Sequence, residues 1–209
     1  MSRFFVGVDL GQAKDFTAIA AVERADLKGD WDAAAYARRK ASVLRLRYLE
    51  RTALGTPYPE VVERVVEVTR SPALVGQCEL VVDATGVGRP VVDLLRRARP
   101  GCPILPASIT GGGRENYEAG YYHVPKRDLI TGLQVLLQTS GLRIAGGLKF
   151  GAALTAEMAE MRVKVSGAGR EQFGAWREGT HDDLVLAVAR ACWAAQRRFR
   201  AGEQKGRIL

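Results

Sequence analysis

Four aspartates stand at the ends of apolar runs. Asp9 closes FFVGVD and is followed by Leu-Gly; Asp83 closes ELVVD and is followed by Ala-Thr-Gly-Val-Gly; Asp182 and Asp183 open the apolar run LVLAVARACW. A carboxylate at the end of a buried element is costly unless it is paired, hydrogen-bonded or bound to a cation. Each has a local use, since Asp9 and Asp83 can cap the turns that follow them and Asp182 or Asp183 suits a helix N-terminus. Brought to one point, they would offer hard oxygen ligands for Mg2+ or Mn2+. With only two histidines, and with Cys78, Cys102 and Cys192 in no CxxC spacing, neither a Cys/His zinc site nor a disulfide framework is indicated. The three cysteines are expected as reduced, buried thiols.

These aspartates must be positioned by strands and helices that the hydrophobic pattern outlines. Residues 3–9 and 17–23 are short apolar runs around LGQAKDF and read as a hairpin. Residues 24–42 are polar, either a long connection or an extension of that hairpin. Residues 43–49 (VLRLRYL) alternate apolar and basic as a half-buried strand does. Helices are expected over 59–70, where Pro59 precedes valines at helical spacing, and over 89–99, opened by Pro90. Between them 79–83 is a buried strand, and 103–109 is another. The polar, Tyr-bearing ENYEAGYY that follows the Thr110 to Gly113 loop reads as a long loop. A helix over 126–139, a short strand at LRIA, a helix over 148–161, a β-hairpin over 162–177 and a closing helix over 181–199 complete the chain. The fold class is therefore α/β with a mixed sheet.

The chain of 209 residues is 47% hydrophobic and 26% charged, the composition of one ordinary globular domain rather than a disordered tail. Its formal net charge of +8 suits a polyanionic partner such as nucleic acid. The excess is uneven. Residues 38–51 set Arg38, Arg39, Lys40, Arg45, Arg47 and Arg51 against Glu50, and residues 196–209 set five basic residues against Glu203. Between them these stretches exceed the whole excess, so the rest of the chain, which holds the aspartates, is slightly acidic. The N-terminal apolar run meets Asp9 too soon for a signal peptide or a membrane span, and a cytoplasmic protein is expected.

GVDLGQAKDFTAIAAVER, VVDATGVGRPVVDLL and HDDLVLAVARACW resemble the three acidic motifs of the ribonuclease H-like nuclease domain of phage terminase large subunits. The resemblance spans Val6 to about Trp193, and the HDD-plus-helix ending is its most specific piece. In that family a first Asp lies on the first strand, an acidic residue on the fourth, and an Asp or Asp pair on the last helix. Asp9, Asp83 and Asp182/Asp183 match in order. The resemblance implies a mixed central sheet flanked by helices, an additional hairpin before the last helix, and one nuclease domain over 1–199 with a basic tail over 200–209. It implies two-metal hydrolysis of double-stranded DNA with two Mg2+ or Mn2+ ions, one activating water and one stabilising the leaving 3′ oxygen. Asp9 would bridge the ions, Asp83 would bind one, and one of Asp182 and Asp183 the other.

Around this centre, His181 either orients Asp182, touches a phosphate or is simply a polar helix-start residue. Lys126 and Arg127 head a helix where they suit a DNA phosphate or an exposed first turn. Arg162, Lys164, Arg170 and Arg177 lie on the 162–177 hairpin, which resembles the terminase hairpin held to lie over DNA. Nothing resembles a base-reading element, so little sequence specificity is expected. No lysine follows a glycine, so there is no P-loop and no ATPase motif. The packaging ATPase, portal and small terminase subunit enter as partners, with the nuclease either excised from its motor or encoded beside it, in the host cytoplasm. A Holliday-junction resolvase, a sugar-kinase or actin-like phosphate binder, and a non-catalytic basic nucleic-acid-binding module are the rival readings.

Overall fold

Along the first strand, Phe5 belongs to one buried cluster and Val6 and Val8 to another, because successive side chains leave a strand on opposite faces. The computed structural model describes residues 3–11, 15–32, 36–86, 88–165, 171–174 and 181–205, with the backbone alone for 28–32, 37–41, 162–165, 171–174 and 198–205. It contains β1 (Arg3–Asp9), β2 (Ala18–Asp32), β3 (Ala37–Arg51), α1 (Tyr58–Thr69), β4 (Cys78–Asp83), α2 (Gly88–Ala98), β5 (Ile104–Thr110), β6 (Asn116–Glu118) and β7 (Tyr121–Pro125). There follow α3 (Lys126–Gln138), β8 (Leu142–Ile144), α4 (Gly151–Glu160), β9 (Arg162–Val165), β10 (Glu171–Gly174) and α5 (Asp183–Lys205).

Eight strands form one mixed sheet in the order β6-β7-β5-β4-β1-β2-β3-β8. β1 runs parallel to β4, β4 to β5 and β5 to β7, whereas β1–β2 and β2–β3 are antiparallel. Val61, Val65, Val91, Val92 and Leu95 of α1 and α2 cover one face together with Val6 and Val8. On the other face α3, α4 and α5 bury Leu129, Leu133, Leu154 and nearly all of Leu184 to Ala195. The α/β class and the mixed sheet match the sequence reading.

One region takes one of its two expected forms, a hairpin extension, and a second departs from its expectation. Within the polar stretch, 24–32 and 37–42 extend the β2–β3 hairpin, with Lys28 opposite Lys40 and Trp31 opposite Arg38. ENYEAGYY is no loop: β6 and β7 pair through a two-residue turn at Ala119 and Gly120, both at positive φ (49° and 86°). Polarity hid the aromatic ladder that holds it, in which Tyr117 and Tyr122 have ring centroids 4.6 Å apart and Tyr122 meets Trp193 of α5 edge-on at 5.3 Å. The three cysteines are free thiols, with Cys78 and Cys192 buried and Cys102 half-buried. No helix among the described residues is long and apolar enough to cross a membrane.

The parallel strands set one rim of the sheet. Asp9 and Asp83 are the last residues of neighbouring strands, and the chain enters α5 close by. Ligands of open α/β sheets collect at such carboxyl ends.

Candidate active site

Gly7 decides how closely α5 approaches β1. A Cβ there would collide with the Ala187 carbonyl and the Ala191 amide of α5, so the helix rests directly on strand backbone. Gly88 does the same for α2, where a Cβ would strike the Asp83 carbonyl. The first close approach delivers Arg190, between Ala187 and Ala191 in sequence, to the strand ends.

Arg190 is 0% exposed. Its Nη1 donates to Asp9 Oδ1, and its Nη2 lies 2.9 Å from Asp83 Oδ2. The second contact is an ion pair without hydrogen-bond alignment, and neither Nε nor Nη2 has a hydrogen-bond partner among the described residues. Asp83 Oδ1 accepts from the Thr85 backbone N–H at 2.8 Å, so both of its oxygens face a donor. Burial, with Asp83 and Asp182 adding repulsion, pushes the Asp9 carboxyl up to about 7 even though Arg190 pulls it down. Burial also opposes the charge on Arg190, but Asp83 and Asp9 outweigh it and hold the guanidinium above its ordinary range.

Asp182 stands just before α5, half-buried, and its Oδ2 accepts from Lys126 Nζ at 2.7 Å. Its charge acts weakly on Asp9, the smallest of the influences there, so Asp182 lies within electrostatic range of the Asp9–Asp83 pair.

Asp183 goes elsewhere. It is the first residue of α5, buried, and held by a two-pronged contact from Arg51, with Nε 2.8 Å from Oδ2 and Nη2 3.0 Å from Oδ1. Arg51 also donates to Glu157 of α4, whose Oε2 accepts from the Val185 N–H at 3.2 Å. Burial chiefly, and then the nearby Asp183 charge, push the Glu157 carboxyl up to about 7. Burial raises Asp183 too, against the pull of Arg51. The His181 ring packs edge-on against Phe16 at 4.9 Å, and the Arg51 guanidinium lies 4.8 Å above the other partner of that contact, the Phe16 ring.

Among the basic residues expected at DNA, Lys126 is engaged with Asp182, while Arg127 is half-exposed with Nε 3.5 Å from Asp128 Oδ1. Arg162 and Lys164 lie on β9, of which the backbone alone is described; Arg170 and Arg177 lie outside the described residues. Part of the first basic stretch turns to internal carboxylates, with Arg51 on Asp183 and Arg47 Nε 2.7 Å from Glu23.

Sequence reasoning passed over Arg190, Arg51 and Glu157. The signal for Arg190 was an arginine within the otherwise apolar LVLAVARACWAA, where no solvent is at hand for its charge. Arg51 is one of six basic residues in 38–51 with nothing to set it apart, and Glu157 carries no distinguishing context.

This chain resembles solved nuclease domains along nearly its whole length. It matches the large terminase nuclease of thermophilic phage G20c with bound magnesium at a TM-score of 0.62 and 19% identity, covering 92% of this chain and 81% of that one. The fold is that of the nuclease domain of phage large terminases. The nuclease domain of the large terminase subunit gp2 of bacterial virus Sf6, with manganese and beta-thujaplicinol, matches at a TM-score of 0.63 with 13% identity, covering 91% and 87%. That of Thermus phage P74-26 matches at 0.57 with 17% identity, covering 91% and 78%. No protein-family model and no curated protein sequence matches the chain.

The terminase-like fold thus places an acidic centre at the carboxyl ends of β1 and β4. Among the described residues no group of three or more His, Cys, Asp or Glu side chains is drawn tightly enough to hold a metal ion. The donors nevertheless suit one: all are hard oxygens, their charges repel, and neither Asp9 Oδ2 nor Asp182 Oδ1 has a hydrogen-bond donor among the described residues. Asp83 is different, because its oxygens are already taken by Thr85 and Arg190.

Proposed function

We propose that the chain is a divalent-metal-dependent endonuclease of the phage DNA-packaging type, cutting double-stranded DNA with little sequence specificity. The observation that carries this reading is a terminase-nuclease fold in which Asp9 and Asp83 end neighbouring strands and share Arg190, with Asp182 in electrostatic range of Asp9. Asp9 and Asp182 would hold a Mg2+ or Mn2+ ion, with Asp83 beside them. When bound, such an ion supplies Lewis acidity at a phosphodiester. The resemblance puts the count at two ions, and this chain brings a fixed positive charge, Arg190, to the same carboxylates.

The chain's own residues do the positioning. Arg190 fixes Asp9 and Asp83 at the strand ends, and Lys126 holds Asp182 by one oxygen. Arg51 and Glu157 anchor the start of α5, so that Asp182 is presented while Asp183 is tied down. Asp182 is thereby assigned as the ligand of the pair and Asp183 as its support. Lys126, Arg127, Arg162, Lys164, Arg170 and Arg177 are proposed to meet the DNA backbone, which makes binding weaken with salt. His181 is assigned a packing role against Phe16. Support comes from the Mg-, Co- and Mn-bound relatives of the same fold. A packaging ATPase, portal and small subunit are the proposed partners, in the host cytoplasm.

One observation favours a second reading, a non-catalytic nucleic-acid-binding module: Arg190 already satisfies two of the carboxylates. Supercoiled plasmid incubated with the protein and Mn2+ or Mg2+ separates the two. The nuclease nicks and linearises it, and Asp9→Asn abolishes cutting while DNA binding persists. Intact plasmid with folded protein in both metals decides for the binding module.

A further inference from the structure

Arg190 is the unexpected group in the acidic centre, and its chemistry constrains what else the centre can hold. A guanidinium stays protonated, and this one is fully buried with no carboxylate partner among the described residues other than Asp9 and Asp83. It cannot swing aside without leaving a buried charge unpaired. Nor can it retreat with its helix, because α5 is in backbone contact with β1 at Gly7. Its charge is therefore permanent in the folded protein and stands where a cation bridging Asp9 and Asp83 would need to stand. At most three carboxylate charges stand against Arg190 and Lys126, a small net negative charge at most, which a single divalent ion more than neutralises. A second ion would compete with Arg190 for Asp83 and leave the centre strongly positive until a phosphate arrived.

We propose that Arg190 is a built-in cation that takes the place of one metal, so that the DNA-free protein binds a single divalent ion through Asp9 and Asp182. The inference rests on the nuclease reading for the identity of the centre and revises the number of ions it takes. Arg190 acts through Asp9 and Asp83, has no exposed surface of its own, and is a positioning residue rather than a group that touches DNA. Its side chain also sets specificity for the ion, since one left with few protein oxygens must complete its coordination with water and substrate oxygens, which hard ions such as Mg2+ and Mn2+ accept.

The test is a count of Mn2+ bound to the full chain without DNA, from the loss of the free-ion electron paramagnetic resonance signal on titration. Asp182→Asn serves as the blank for ions bound elsewhere. The wild-type protein is expected to bind a single ion that Asp182→Asn loses. Arg190→Met, which keeps the length and removes the charge, is expected to bind a second, and Arg190→Lys to return to one. Mn2+ should also raise the melting temperature of Arg190→Met more than that of the wild type, because the ion then relieves repulsion that Arg190 otherwise relieves. Two ions on the wild-type protein, or an unchanged count on folded Arg190→Met, overturns the inference and leaves the nuclease reading standing. No ion on the wild type at any concentration overturns both. If Arg190→Met does not fold, the wild-type count alone decides between one and two.

Discussion

Asp182 and Asp183 are neighbours in the chain and belong to different parts of the molecule. Asp182 is half-buried and accepts by one oxygen from a single donor, Lys126. Asp183 faces inward and is gripped on both oxygens by Arg51, with Glu157 sharing the same guanidinium. Among the described residues the first arrangement leaves an oxygen without a protein donor near other carboxylates; the second leaves none. One carboxylate cluster is thus open to a cation and the other is closed by one. A pair of adjacent acids in a motif can divide the work between chemistry and anchorage, and burial with partners tells which is which.

The division can be broken most visibly at Asp182. Asp182→Asn should lower plasmid cleavage by on the order of a hundredfold or more, beyond what the loss of an outer partner of a metal ligand usually costs, with the melting temperature held. Equal cleavage by this variant would move the ligand role to Asp183. Arg51→Met attacks the other cluster and should cost about 3 kcal/mol of stability in urea unfolding, because Asp183 and Glu157 then stay buried without their cation. A loss below about 1 kcal/mol would show the cluster to be a solvated surface pair. Lys126→Met removes the cation that holds Asp182 in place, and the Mn2+ concentration for half-maximal cutting should rise by about tenfold.

The smallest effect concerns pH. The Glu157 carboxyl is raised to about 7, so the folded protein holds its proton more tightly than the unfolded chain does. The stability this contributes is complete below the unfolded value, near 4.5, and is lost as pH rises through about 7. Glu157→Gln, which cannot ionise, should show a shallower fall of stability across that window in urea titrations at successive pH values. An unchanged slope would place the Glu157 titration outside the window.

Much of the fold was legible because its elements carry strong local signals. Pro59 and Pro90 open α1 and α2, valines at helical spacing give α1 its buried face, and apolar strands end in Asp9 and Asp83. The β6–β7 hairpin was missed because its stabilisation is tertiary, an aromatic ladder completed by Trp193 from the far end of the sequence. The aspartates of the centre could be picked out as carboxylates at element ends. Their division could not, since the partners Arg51 and Arg190 lie far from Asp183 and Asp9 in sequence. Gly7 looked like any strand glycine until α5 was seen resting on it.

The nuclease reading and the division of the aspartate pair meet in one measurement: conversion of supercoiled plasmid with Mn2+ by wild type, Asp182→Asn and Asp183→Asn, each with its melting temperature. The expected result is nicking and linearisation by the wild type, none by Asp182→Asn at an unchanged melting temperature, and retained cutting by a less stable Asp183→Asn below its melting temperature. Plasmid left intact by the folded wild-type protein, or cut as fast by Asp182→Asn, would contradict it.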